Sequence, residues 1–209
     1  MLLPFRHRSK LNSKIILPPL PTLWMGNIAY LDRDGVINYG SENYINSVEE
    51  LVLFPKIGES IGKLRREGFR ICVVTNQSPI GRELWGHENL AEIHDHLSEL
   101  LLEQDSDAFL DLILYSPYAP WEGSWARKPN PGMLEAGRQI LQKGSTNPER
   151  EISLFFGHSW INEFDESKSV MVGDRDVDME AARKFGVRGI KCSPEEGLPG
   201  VLNQIFNRG

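Results

Sequence analysis

Asp32 and Asp34 stand two residues apart in Asp32-Arg33-Asp34-Gly35-Val36-Ile37-Asn38, directly after the apolar run Ile28-Ala29-Tyr30-Leu31. A carboxylate pair at a strand end suits phosphoryl transfer. One carboxylate attacks phosphorus, the other handles the leaving-group proton, and a hard cation on oxygen ligands offsets the phosphate charge. A lone Asp-x-Asp is commonly no more than a solvated turn, so the reading depends on what else the chain supplies. It supplies Thr75 after the strand-like run 70–74, Lys128 in Arg127-Lys128-Pro129, and Gly173-Asp174 with Asp178 after Val170-Met171-Val172.

Each residue type fits one task. Asp32 is the expected nucleophile, and Asp34 the acid that protonates the leaving oxygen and then takes a proton from water. Asp32, Asp174 and the backbone carbonyl of Asp34 are expected to hold Mg²⁺, with Asp178 supporting them from behind. Thr75 would donate a hydrogen bond to a phosphoryl oxygen, and Lys128 would add positive charge beside it. Asp174 and Asp178 could instead simply cap a helix start, but their place after an apolar strand completes the set. His94 and His96 resemble a ligand pair on paper. Residues i and i+2 on a helix point to different sides, so both are expected to be solvated.

The elements that must position these groups are visible in the hydrophobic pattern. Apolar runs near 28–31, 70–74, 110–115, 169–173 and 186–191 alternate with helical periodicity, which implies an α/β fold with a central parallel sheet and flanking helices. The expected helices carry Ile57, Ile61 and Leu64; Leu90, Ile93, Leu97, Leu100 and Leu101; Met133, Leu134, Ile140 and Leu141; and the short span Val177 to Phe185. Ligands of such sheets gather outside the carboxyl ends of the strands, where Asp32, Thr75 and Asp174 fall. Residues 35–54 suggest a hairpin-like flap beside the first motif, and 144–168 an aromatic-rich insertion with a structural or partner-facing role rather than a catalytic one.

At 209 residues the chain favours one domain over two, with residues 27–209 forming it. Residues 1–26 carry Arg6, Arg8, Lys10 and Lys14 and no acid, whereas the whole chain has a net charge of −6. The acidic remainder argues against a nucleic-acid partner. Pro18, Pro19 and Pro21 interrupt the apolar run of the basic segment, and no small-residue cleavage pattern follows, so it reads as a disordered tail. Met25 is an alternative start that would place residues 1–24 outside the native protein. Cys72 and Cys192 read as small buried hydrophobes in a reducing, cytoplasmic compartment. No run approaches the length of a membrane span, and the oligomeric state stays open.

The ordered set resembles the four motifs of the haloacid-dehalogenase-like (HAD) superfamily. Between residues 28 and 191 the chain is further similar to the capless bisphosphate branch, which includes D-glycero-D-manno-heptose 1,7-bisphosphate phosphatase and the histidinol-phosphatase domain. The shared strings are Leu31 to Asn38, Val73-Val74-Thr75-Asn76-Gln77-Ser78, Arg127 to Leu134, and Met171-Val172-Gly173-Asp174. The 41 positions from Asp34 to Thr75 and the 53 from Thr75 to Lys128 leave no room for a cap domain, in agreement with a Rossmann-like capless HAD fold.

The resemblance implies a Mg²⁺-dependent phosphatase acting on a small phosphorylated sugar, with heptose bisphosphate favoured and histidinol phosphate or another metabolite as the alternative. It also implies substrate contacts from Ser41, Tyr44, Asn76, Gln77, Ser78, Arg127 and Arg175, with Arg127 toward a distal phosphate or a sugar hydroxyl. Arg82 is as readily a surface residue as a phosphate contact. The branch usually carries a zinc loop before the Arg-Lys-Pro motif. Here Ser116, Tyr118, Ser124 and Ala126 stand at the ligand positions, so zinc is not expected, and Trp121 and Trp125 are expected to stiffen the loop by packing, with exposed aromatic contact to substrate as the alternative. A non-catalytic phosphate-binding protein would have lost a carboxylate, yet all are intact. Dehalogenation would leave Asp34 without a task.

Overall fold

The computed structural model describes residues 1–207. Among these residues six strands form one sheet: β1 (Phe5–Arg6), β2 (Ile28–Leu31), β3 (Arg70–Asn76), β4 (Leu112–Ser116), β5 (Val170–Gly173) and β6 (Arg188–Lys191). Their spatial order is β1-β4-β3-β2-β5-β6. The last five in the chain pair in parallel, and β1 alone runs antiparallel, against β4. The expected parallel sheet is therefore mixed at one edge.

Strand alternation builds both faces of the core. Ala29, Leu31, Ile71, Val73 and Val172 pack against α1 (Ile57–Arg66), α2 (His87–Gln104) and α5 (Gly197–Phe206). Their neighbours Ile28, Tyr30, Cys72, Val74 and Met171 pack against α3 (Gly132–Thr146) and α4 (Asp176–Phe185). The expected helices form, α5 is an addition, and among the described residues no cap domain interrupts the sheet.

The expected disordered tail is not what the structure holds. Phe5 and Arg6 pair with Tyr115 and Leu114, and Ile15 is buried in the core. Farther along, Arg65 Nη2 donates to the Pro19 carbonyl at 2.6 Å and Arg70 Nη1 to that of Pro18 at 2.5 Å. Both arginines also pair with the buried Asp111, at 2.5 and 2.7 Å. Proline lacks an N–H, but its carbonyl remains a full acceptor, so this segment can be fixed through its acceptors alone.

The 144–168 stretch begins as the end of α3 and continues as irregular chain across the α3–α4 face. Arg138 and Glu166 form a buried pair at 2.5 Å, and Trp160 stacks on Phe185 with centroids 5.8 Å apart. The flap holds a short antiparallel bridge, Asn38 to Leu53, with Tyr39 N donating to Val52 O. Asn46 ties it down, its side chain accepting from Trp85 and its carbonyl from Asn89 of α2.

Candidate active site

The chain runs outward from β2 through β3 to β4, then crosses back to β5 on the other side of β2. That reversal puts the carboxyl ends of β2 and β5 together at the switch point, where an open α/β sheet leaves a crevice. Asp32 follows β2, its N–H still in the ladder with Val172 O at 3.0 Å, and Asp174 follows β5. Thr75 lies at the end of β3. Lys128 arrives from the loop before α3, its N–H donating to Asn76 Oδ1 and its carbonyl accepting from Asn76 Nδ2, both at 3.1 Å.

Lys128, 2% exposed, lies between two carboxylates, with Nζ 2.9 Å from Asp32 and 2.6 Å from Asp178. Burial opposes its charge, but the two acids outweigh burial and raise its pKa. Burial pushes the Asp32 carboxyl above its usual range; Lys128 pulls it down, while Asp178 and Asp34 add to the rise. Asp178 faces Lys128 with Oδ1 and accepts from Arg175 N with Oδ2.

Asp32, Asp174 and Asp178 can each offer an oxygen such that all three lie within 4.8 Å of one another. Asp174 Oδ1 is buried with no hydrogen-bond partner, an arrangement that leaves an oxygen for a cation. The donor set is oxygen only, which suits a hard divalent ion. Gly35 makes the closeness possible: its φ is +79°, and a Cβ there would lie 2.5 Å from Asp174 Oδ2.

Asp34 is surrounded by donors. Its Oδ1 accepts from Arg33 Nε and Nη2 and from Asn38 Nδ2, and its Oδ2 from Arg33 Nη2 and Gln77 Nε2, all at 2.9–3.1 Å. Burial raises its pKa, but Arg33 and these hydrogen bonds outweigh burial and hold the carboxyl below its usual range. Gln77 also donates to Thr75 Oγ1 at 2.8 Å, joining the two sites.

A cavity of about 300 Å³ opens over these groups, lined by Asp32, Asp34, Ser41, Tyr44, Thr75, Asn76, Gln77, Ser78, Arg82, Arg127, Lys128 and Arg175. Every residue expected to touch substrate therefore borders one space, and Asp174 and Asp178 sit behind it. Asn76 spends its amide on the Lys128 backbone, which makes it a brace for that loop. Arg127 Nη1 is anchored on Tyr118 O at 3.0 Å. Trp125 packs as expected and donates to Glu135 at 2.7 Å. Trp121 does not pack: it is 71% exposed, with the Arg82 guanidinium 4.8 Å over its ring.

His94 corrects another expectation. It is wholly buried, because His7, just past β1 in a segment that carried no sequence signal, meets its ring edge-on and Tyr115 of β4 lies beside it, whereas His96 stays partly exposed. Its Nε2 lies 3.3 Å from Arg33 Nη1, and burial, with Arg33 and His7 beside it, drives its pKa well below the ordinary value. Arg33 and Asn38 stood inside the first motif, and their fit to Asp34 was the available signal.

A lysine bridge between buried carboxylates and an oxygen-only acidic cluster at the switch point of a mostly parallel sheet mark a hydrolase domain of α/β architecture. The haloacid dehalogenase-like hydrolase profile matches residues 21–186, and the chain belongs to that family. It is 42% identical over 167 residues to a D-glycero-beta-D-manno-heptose-1,7-bisphosphate 7-phosphatase of Pseudomonas putida, covering 80% of this chain and 82% of the relative. A Pseudomonas aeruginosa protein of the same name is 35% identical over 168 residues, covering 80% and 79%. Among solved structures, a D,D-heptose 1.7-bisphosphate phosphatase from B. bronchiseptica, complexed with magnesium and phosphate, superposes with a TM-score of 0.68 at 24% identity, covering 86% of this chain and 98% of its own. A structure from Mesorhizobium loti gives 0.63 at 27% identity, covering 94% of each.

Proposed function

We propose that this protein is a Mg²⁺-dependent phosphatase that removes one phosphate from a small sugar bisphosphate, heptose 1,7-bisphosphate being the favoured substrate. The observation that carries the reading is the buried Asp32–Lys128–Asp178 bridge beside Asp174, opening into a cavity bordered by Arg82, Arg127 and Arg175. Asp32, Asp174 and the carbonyl of Asp34 would hold the ion, which when bound neutralises phosphoryl charge.

An Asp32 oxygen attacks phosphorus, the bond to the sugar oxygen breaks, and Asp34, which takes up a proton when the anionic phosphate enters beside it, gives that proton to the departing oxygen. Water then attacks the aspartyl-phosphate and gives a proton to Asp34, phosphate leaves, and Asp32 is restored. Lys128 and Thr75 offset the charge on the phosphoryl oxygens. The three arginines suit a second anionic group, which favours a bisphosphate over histidinol phosphate.

The test is a panel of sugar bisphosphates, sugar monophosphates and histidinol phosphate assayed with Mg²⁺, wild type against Asp32→Asn. The amide fills nearly the same space but cannot attack, so turnover should fall at least about a thousandfold with the fold intact. Retention of more than a trace of the wild-type rate would overturn the covalent route.

A further inference from the structure

The reading above makes Asp34 the proton donor to the leaving oxygen, and the inference that follows rests on it. A donor of this kind works only if its carboxyl group points at the oxygen that departs. Arg33 grips Asp34 through Nε and Nη2, leaving Nη1 for His94 Nε2. Arg33 is 1% exposed and His94 is not exposed at all. Arginine is always a donor, so His94 must be the acceptor at this contact. Behind His94 stands His7, its ring 5.5 Å away and edge-on, with Nε2 held by Asp95 at 2.8 Å. His7 N in turn donates to Ile113 O, extending the attachment of β1 to β4.

We propose that His94 and Arg33 are positioning residues for Asp34, and that the β1 segment, through His7, is the wall that holds this column in place. The fork of Arg33 has a fixed plane, so an acceptor on its third nitrogen fixes the plane that Asp34 meets. The wall lies outside residues 21–186, the span that the family profile matches.

The experiment compares kcat/KM for an alkyl phosphomonoester with that for para-nitrophenyl phosphate. An alkoxide needs its proton as it leaves, and nitrophenolate does not, so only the first depends on where Asp34 points. His94→Leu keeps bulk and removes the acceptor; the alkyl value should fall at least tenfold, with the nitrophenyl value within about threefold of wild type. His94→Gln restores an acceptor and should return the ratio of the two to within about threefold. His7→Ala should lower the ratio in the same direction by a smaller factor. Arg33→Lys, which cannot reach both neighbours, covers the case in which His94→Leu does not fold.

Equal losses on both substrates, an unchanged ratio, or failure of His94→Gln to restore it would overturn the positioning role. An unchanged ratio in His7→Ala would remove β1 from the device. Absence of wild-type activity on either substrate would instead strike the phosphatase reading itself.

Discussion

Lys128 and Arg127 are neighbours in sequence with opposite environments. Lys128 is enclosed between Asp32 and Asp178, whereas Arg127 keeps part of its guanidinium toward the cavity. Arg127→Ala should therefore lower kcat/KM for a sugar bisphosphate by about one to two decades, the worth of a charge-assisted contact of about 1.5–3 kcal/mol. A generic monoester should be far less affected, and Lys128→Ala should damage both. Equal losses in Arg127→Ala would mean that this arginine serves the reacting phosphate or the fold. The oxygen-only cluster leads to a second expectation: chelation abolishes activity, Mg²⁺ restores it, and metal analysis of protein purified without chelator finds no stoichiometric zinc. About one zinc per chain would contradict the reading of Ser116, Tyr118, Ser124 and Ala126.

Among the elements, those that carry the motifs were legible because each strand buries both faces and so reads as an unbroken apolar run. The residues expected to act followed, since their position after a run is their position at the sheet edge. Two elements were not legible. β1 has two residues, too few for any period, and α5 opens with Gly197-Leu198-Pro199-Gly200, which reads as a turn. Proline is tolerated there because first-turn N–H groups have no helical partner. His94 was misjudged for the same reason, since part of its cover, His7, follows the unseen β1. The motif loop is a further element that one atom can disturb. Gly35→Ala adds a Cβ where Asp174 stands, and should weaken Mg²⁺ activation at least about tenfold with the fold retained. A metal titration of activity checks it; an unchanged midpoint would show that Asp174 moves freely.

For the molecule as a whole, the N-terminal segment is a working part of the fold. Asp111 is its lock: it is buried, binds Arg65 and Arg70, and accepts from Ile71 N at 2.8 Å, while the same arginines hold Pro18 and Pro19. Asp111→Asn leaves buried guanidinium charge unpaired, a loss of about 3–5 kcal/mol in such settings. At roughly 2–4 °C per kcal/mol for a chain of this size, the melting temperature should fall by about 10 °C. A fall under about 3 °C in differential scanning calorimetry would show that water replaces the lost partner. The place of β1 also bears on how copies of the protein behave toward one another. Its two residues occupy the ladder groups along β4, which would otherwise be an open edge of parallel sheet. An open edge is a template for a strand from another molecule. A protease cut between β1 and the Pro18–Pro19 anchor would free that template while the rest of the domain stayed folded, and light scattering would then rise with protein concentration. The strand proposed to close the site from behind thus also takes up the β4 groups that a strand of another molecule would otherwise pair with.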